Sequence, residues 1–135
     1  MLAHRDLRRD LEGSPKAHLG TTVTGFPNLF ILLGPNTAIG HTSALFMIES
    51  QIGLIRSALR TMRALGAKSF EPRAEAQASF VSSVDRRRQQ TVWLTGGCAS
   101  WYKDRTGRVA ALWPDYTWSF RRRLAHFDPR EYQLA

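Results

Sequence analysis

Phe26-Pro27-Asn28-Leu29-Phe30-Ile31-Leu32-Leu33-Gly34-Pro35-Asn36-Thr37-Ala38-Ile39-Gly40-His41-Thr42-Ser43-Ala44-Leu45-Phe46-Met47-Ile48-Glu49-Ser50-Gln51 is the stretch on which the reading of the fold turns. Five apolar residues, Leu29 to Leu33, lie between two breakers, Pro27-Asn28 and Gly34-Pro35. An apolar run without polar alternation is the pattern of a strand covered on both faces. Gly34 to His41 reads as a loop, and an apolar periodicity begins at Thr42-Ser43. Strand, loop and helix start follow one another here, the junction at which α/β folds place their ligands.

Downstream, Leu45, Ile48, Ile52, Ile55, Leu59 and Met62 recur at alternating steps of three and four, one continuous apolar stripe. They predict a helix over about 42–65, with Thr42 or Ser43 as N-cap and Gly66 just past its end. At ~1.5 Å per residue such a helix spans roughly 36 Å. Pro72 suits the first turn of a second helix running to about Trp93, with Ala76, Phe80, Val84 and Thr91 on its buried side and Arg86 to Arg88 solvated. Trp101-Tyr102, a loop over 103–108 and Val109 to Trp113 have the pattern of a β-hairpin. The tail from Pro114 reads as irregular, aromatic and basic.

Upstream, Leu19 to Thr24 is short and rich in β-branched residues, which predicts an extended segment before the turn Gly25–Asn28. Residues 1–17 are polar and charged, a loosely packed arm. A doubly covered parallel strand needs neighbours delivered by crossovers, and the chain has no second run like Leu29–Leu33. The fold class is therefore an α/β fragment whose sheet is largely absent.

The 135 residues allow at most one domain, and 43% hydrophobic residues make it globular. No run approaches the ~20 apolar residues of a membrane span, and the charged start is unlike a secretory signal. One cysteine, Cys98, cannot form an internal disulfide, and four scattered histidines build no zinc site around it. A cytoplasmic setting is expected. The net charge of +8 comes largely from Arg5 to Arg9, Arg86 to Arg88 and Arg121 to Arg123. Such a balance fits solvated helix faces, with a basic module for nucleic acid or a partner protein as the alternative reading.

The loop ahead of the long helix is not a P-loop: five residues separate Gly34 from Gly40, and His41 stands in the lysine's place. No Gly-x-Gly occurs, so the dinucleotide fingerprint is missing too. The helix start, with free N–H groups over 42–45, remains a candidate anion site. His41 beside it either binds a ligand or helps cap, and Asn36 is first a turn residue. Cys98 reads as a packed residue, and Trp93, Trp101, Trp113 and Trp118 as core or interface. No Ser-His-Asp or paired-carboxylate arrangement stands out, so no catalytic and no metal-binding residue is assigned.

Several stretches together resemble one region of a known family. Gly20-Thr21-Thr22-Val23, Gly25-Phe26-Pro27-Asn28-Leu29-Phe30, Gly34-Pro35-Asn36-Thr37, Gly40-His41-Thr42-Ser43 and Met47-Ile48-Glu49-Ser50-Gln51 look like the C-terminal part of the Baeyer–Villiger type of flavin-containing monooxygenase. Thr91-Val92-Trp93, Gly96-Gly97-Cys98-Ala99-Ser100-Trp101-Tyr102, Leu112-Trp113-Pro114 and Phe120-Arg121-Arg122-Arg123 follow in the family's order. The resemblance covers about residues 14–135. It implies an enzyme with FAD and NADPH that inserts oxygen into ketones or oxidises nitrogen or sulfur. It also implies that Leu29–Leu33 is the last strand of the FAD domain's Rossmann-like sheet. Gly34, Pro35 and Asn36, with His41, Thr42, Ser43 and Ala44, would lie at the flavin's pyrimidine edge.

Several family features are absent from the sequence: the FAD and NADPH glycine loops, the fingerprint with its histidine and tryptophan, and the arginine beside the flavin. His18 stands where relatives usually have tyrosine, and Leu11 near their usual tryptophan. The expected organisation is an arm (1–17), the C-terminal piece of an FAD-binding domain (18–66) and a helix-and-hairpin extension (67–135). Such a chain is expected to be inactive alone. Its partner would be the missing N-terminal half or a complementing chain, and the full enzyme would act on a small organic substrate; no membrane is implied, and nucleic acid is not the favoured partner.

Overall fold

The computed structural model describes residues 5–38, 43–89, 104–108 and 110–135. Its longest element is helix α2, Ala44–Leu65; a short helix α1, Leu7–Leu11, precedes it. α2 starts where its capping chemistry requires: the Ser43 side-chain oxygen accepts from the Leu45 N–H at 3.2 Å. It ends at Gly66, whose φ of +67° is left-handed, and the Ala67 N–H closes back on the Met62 carbonyl at 2.9 Å.

The face that α2 packs inward differs from the expected stripe. Met47, Gln51, Leu54, Ala58 and Met62 are buried, whereas Leu45, Ile52 and Leu59 are 68%, 43% and 51% exposed. The helix is apolar on two faces, and the rest of the described chain covers one of them. Only Met62 belongs to both.

Strand β1, Phe70–Pro72, follows, so Pro72 lies in a strand rather than in a helix start. Helix α3 runs Ala74–Arg88, with Phe80, Val81 and Val84 buried. Arg88 is also buried, at 3% exposure, and is ion-paired to Asp85 on its own helix rather than solvated. The tail, expected to be irregular, carries a helix and a strand. Helix α4, Thr117–Leu124, buries Phe120 and Leu124 one turn apart, and it packs on α2. Strand β2, Tyr132–Leu134, then pairs antiparallel with β1, Phe70 opposite Leu134 and Pro72 opposite Tyr132. Three consecutive arginines, Arg121 to Arg123, mask this helix's short apolar pair in the sequence. Phe70, Phe127 and Tyr132 form the aromatic centre of the core, with ring centroids 4.4 to 5.6 Å apart.

Two further expectations need correction. Leu29–Leu33 forms no strand, because among the described residues no second strand lies beside it. Nor is Leu19–Thr24 simply extended. Leu19 and Gly20 both take positive φ, +54° and +63°, and the Thr21 N–H donates to the His18 carbonyl at 3.1 Å. That is a tight turn of the type that joins hairpin strands, with His18 bridged to Thr22 across it.

Residues 90–103 and 109 lie outside the described set, and with them the end of the expected second helix, Cys98 and the first strand of the expected hairpin. The 104–108 turn is present, closed by the Asp104 N–H to the Arg108 carbonyl at 2.7 Å. Beyond it, Leu112 bridges in parallel to Ala38. Among the described residues no helix is long and apolar enough to cross a membrane.

Candidate functional site

The loop after Leu33 is fixed from three sides. The first is steric: a Cβ on Gly34 would fall 2.3 Å from the Gly20 carbonyl oxygen, so only glycine allows the two backbones to touch. The second is Gln51 of α2, which is fully buried. Its Oε1 accepts from the Leu33 N–H at 2.9 Å, while its Nε2 donates toward the carbonyls of Gly20 at 3.0 Å and Ile31 at 3.1 Å. One side chain thereby ties the Leu19-Gly20 turn, the Leu29–Leu33 segment and α2 together.

The third is Arg108 with residues 110–113. Asn36 sits at φ +63°, a conformation asparagine tolerates better than most residues, and it is fully buried. Its N–H donates to the Ala110 carbonyl at 2.8 Å and its Nδ2 to the Leu112 carbonyl at 3.3 Å, while its Oδ1 accepts from Arg108 Nη2 at 3.3 Å. Two residues on, the Ala38 N–H reaches the Ala111 carbonyl and the Trp113 N–H returns to Ala38. Arg108 spreads the restraint further. Its Nε lies 3.0 and 3.2 Å from the Asp85 carboxylate of α3, and Nη1 donates to the Pro15 carbonyl at 3.0 Å.

On the open side of this loop is an apolar cleft of about 370 Å³, lined by Leu11, Ile31, Leu33, Gly34, Pro35 and Ala38 among others. Asp104 is its one acidic lining residue among the described residues. Burial opposes the charge of that carboxylate, but hydrogen bonds from Thr106 and from the Arg108 N–H outweigh it and hold its pKa below the ordinary value. At the start of α2, Ser43 and Ala44 are exposed. The Leu45 N–H is capped by Ser43 and the Phe46 N–H turns back to the Ser43 carbonyl; the Ala44 N–H has no partner among the described residues.

Of the residues singled out in the sequence, Gly34 and Pro35 therefore line the cleft, Asn36 lies behind them with its polar atoms engaged internally, and Ser43 and Ala44 offer an exposed helix terminus. His41 and Thr42 lie outside the described residues. Sequence reasoning missed Gln51 and Arg108 as organising residues. A fully polar side chain on the Met47–Leu54–Ala58 face was the available signal for Gln51; Arg108 carried none beyond its charge.

The sequence is similar to that of known proteins of one family. A Baeyer–Villiger monooxygenase of Pseudomonas aeruginosa is 44% identical over 132 residues, 97% of this chain and 25% of that protein. Another, from Streptomyces coelicolor, is 40% identical over 131 residues, 96% of this chain and 25% of that one. The chain is homologous to the Baeyer–Villiger monooxygenases. It spans about a quarter of the length of the curated relatives it matches. No family model matches it. Among solved structures, an oxidised steroid monooxygenase bound to NADP superposes with a TM-score of 0.79 at 23% identity, over 96% of this chain and 25% of that one. The OTEMO complex with FAD and NADP gives 0.75 at 20% identity, over 97% and 26%. At these identities the superpositions carry the fold alone: the chain folds as about a quarter of each of these two proteins does.

Proposed function

We propose that the chain is the C-terminal portion of an FAD- and NADPH-dependent monooxygenase and contributes the wall at the flavin's pyrimidine edge. The observation that carries this reading is the clamped Gly34–Ala38 loop, fixed from three sides and open on a fourth, apolar one. The residues fit one edge of a flavin: an apolar cleft for a flat ring and, at Ala44, a helix N–H with no partner among the described residues for a polar rim. The sequence has no Gly-x-Gly for a pyrophosphate, and on this reading the glycine loops belong to polypeptide outside these residues.

On this reading Leu29–Leu33 is the last strand of the FAD domain's parallel sheet and becomes a strand once its neighbours are present. Residues 18–66 form the end of that domain, 67–135 its extension, and 1–17 an arm. When bound, FAD together with NADPH supplies the oxidation chemistry, oxygen insertion into small ketones or oxidation of nitrogen or sulfur. This chain's residues position and bias it. Gly34 and Pro35 would bound the ring and Asn36 would hold them in place, while Ser43 and Ala44 would present the positive end of α2; His41 and Thr42, outside the described residues, are assigned to the same site from their place in the sequence. A helix terminus favours adjacent negative charge by ~0.3–2 kcal/mol, enough to tune a cofactor and too little to create its reactivity. No residue of this chain takes a catalytic role, so the chain alone is inactive.

Ala44→Pro tests the wall. Proline is tolerated at the first helical position and removes only the N–H. In the chain assembled with the complementary part of the P. aeruginosa relative, the substitution is expected to weaken FAD binding about 2- to 30-fold, the factor equivalent to ~0.3–2 kcal/mol. Unchanged affinity with α2 intact counts against the placement.

A further inference from the structure

Helices α3 and α4 border a second cleft, of about 630 Å³, that shares no lining residue with the one beside Gly34. Its size lies within the ~300–1,000 Å³ usual for small-molecule sites. α3 contributes Phe80, Ser83, Val84 and Arg87, the spacing of a single helix face, and α4 contributes Trp118 and Arg122, one turn apart. The buried side of the cleft is aromatic. Trp113 stacks on Phe80 at 6.4 Å with 12° between the rings, and its indole N–H donates to the Tyr116 carbonyl at 3.0 Å.

Trp118 is 59% exposed, although an indole carries one of the largest apolar surfaces of any side chain. It is stacked on Tyr116, ring centroids 6.1 Å apart and 13° from parallel. Tyr116 does not line the cleft, so the indole presents to it surface that Tyr116 leaves uncovered. The stack also orders the indole in advance, which lowers the cost of fixing it against a ligand.

The charges of the lining leave a remainder. Three guanidiniums, of Arg87, Arg122 and Arg123, stand against the carboxylates of Asp115 and Asp128. Arg87 is bonded to Asp115 at 2.5 Å, Arg123 to Glu131 at 2.8 Å and Asp128 to Arg130 at 2.9 Å. The Arg122 guanidinium has no partner among the described residues. One positive charge is left, on a planar fork that matches a carboxylate, one helical turn from an open indole. A dianion would exceed that charge and face Asp115 and Asp128. His126 also lines the cleft and offers an N–H donor in either charge state.

We propose that the cleft between α3 and α4 binds a small aromatic carboxylate, its ring against Trp118 and its carboxylate on the Arg122 guanidinium. The site is independent of the flavin reading, because none of its lining residues belongs to the Gly34–Ala38 loop or to the start of α2.

The test titrates the 135-residue chain with indole-3-acetate, reading heat and the NMR shift of the Trp118 indole N–H. One-to-one binding is expected with a Kd on the order of 1 mM or tighter, as ordinary ligand efficiency gives for a molecule of this size. Indole-3-acetamide, which lacks the charge, and acetate, which lacks the ring, should bind at least about tenfold more weakly. Arg122→Gln and Trp118→Ala should each weaken indole-3-acetate by a similar factor while leaving the helical circular dichroism unchanged, because both side chains are exposed. Arg60→Gln, an exposed arginine of α2 outside the cleft, should change neither. Four results overturn the proposal: no saturation by about 10 mM, equal affinity for indole-3-acetamide, binding undiminished by both cleft substitutions, or tighter binding of the dianionic indoxyl phosphate than of indole-3-acetate.

Discussion

Gln51→Leu removes the one side chain that joins the Leu19-Gly20 turn, the Leu29–Leu33 segment and α2, and its cost follows from the atoms it leaves behind. The amide group of Gln51 carries two N–H donors and faces three acceptors, the Gly20 and Ile31 carbonyls and Thr21 Oγ1, so two are served at a time. With the Leu33 N–H on Oε1, three backbone groups lose their partner. A buried group left unsatisfied costs ~1–3 kcal/mol; because Ile31 and Leu33 are not fully buried, the low end applies, about 3 kcal/mol in all. Leucine recovers roughly 1 kcal/mol by burying apolar surface in place of an amide. The net loss is about 2 kcal/mol, which at ~1.5 kcal/mol per molar lowers the urea midpoint by ~1.3 M. Exchange of the Leu33 amide with solvent should accelerate more than that of amides in α3. A midpoint within about 0.3 M of the parent, below the ~0.5 kcal/mol of an ordinary surface substitution, refutes the clamp.

Gly34→Ala forces a Cβ against the Gly20 carbonyl and should destabilise the chain by ~1–3 kcal/mol, whereas Gly53→Ala, with nothing within 4 Å of its new Cβ, should stabilise α2 by ~0.5–1 kcal/mol; thermal melts distinguish them. His18 is fully buried between Phe80 and Tyr132, and burial lowers its pKa despite the attraction of Glu131 at 3.1 Å. The unfolded chain therefore binds this proton more readily than the folded one, so the stability due to neutral His18 is complete above pH 6.5 and declines as the pH falls below it. His18→Gln should flatten that part of the pH profile of the urea midpoint, and parallel profiles would assign the slope elsewhere. Arg108→Lys replaces three directed groups by a point charge and should cost ~1–3 kcal/mol, with faster hydrogen exchange at Asn36 and Ala38 as its local sign.

The parts of this fold that local chemistry decides were legible in the sequence. Ser43 and Gly66 bound α2 because caps act within one turn of the residue that makes them. The side on which α2 is buried was not legible, since both of its apolar rows have helical period and only tertiary partners choose between them. Leu29–Leu33 has a strand's composition but not its pairing, because pairing is a property of a neighbour. The tail failed for another reason: the eight residues of α4 bury a single apolar pair, Phe120 and Leu124, beside three arginines, too short a signal for periodicity to find. At the site, the loop and helix start came from turn and cap residues, whereas Gln51 acts across 18 to 31 residues of chain and Arg108 across 23 to 93, and neither leaves a local pattern.

The arginine clusters that raised a nucleic-acid reading are largely engaged with carboxylates of the chain itself: Arg5 with Asp10, Arg87 with Asp115, Arg121 with Glu49 and Arg123 with Glu131. Most of these pairs are partly exposed and add little stability.

Flavin content tests the central claim most directly: that this chain holds one wall of a cofactor site completed by other polypeptide. The chain should be purified alone and in complex with the unmatched part of the P. aeruginosa relative, each after exposure to excess FAD. The account predicts no retained flavin for the chain alone, and one flavin per complex with ketone-dependent oxidation of NADPH. Stoichiometric FAD on the chain alone, or a stable complex that retains none, would contradict it.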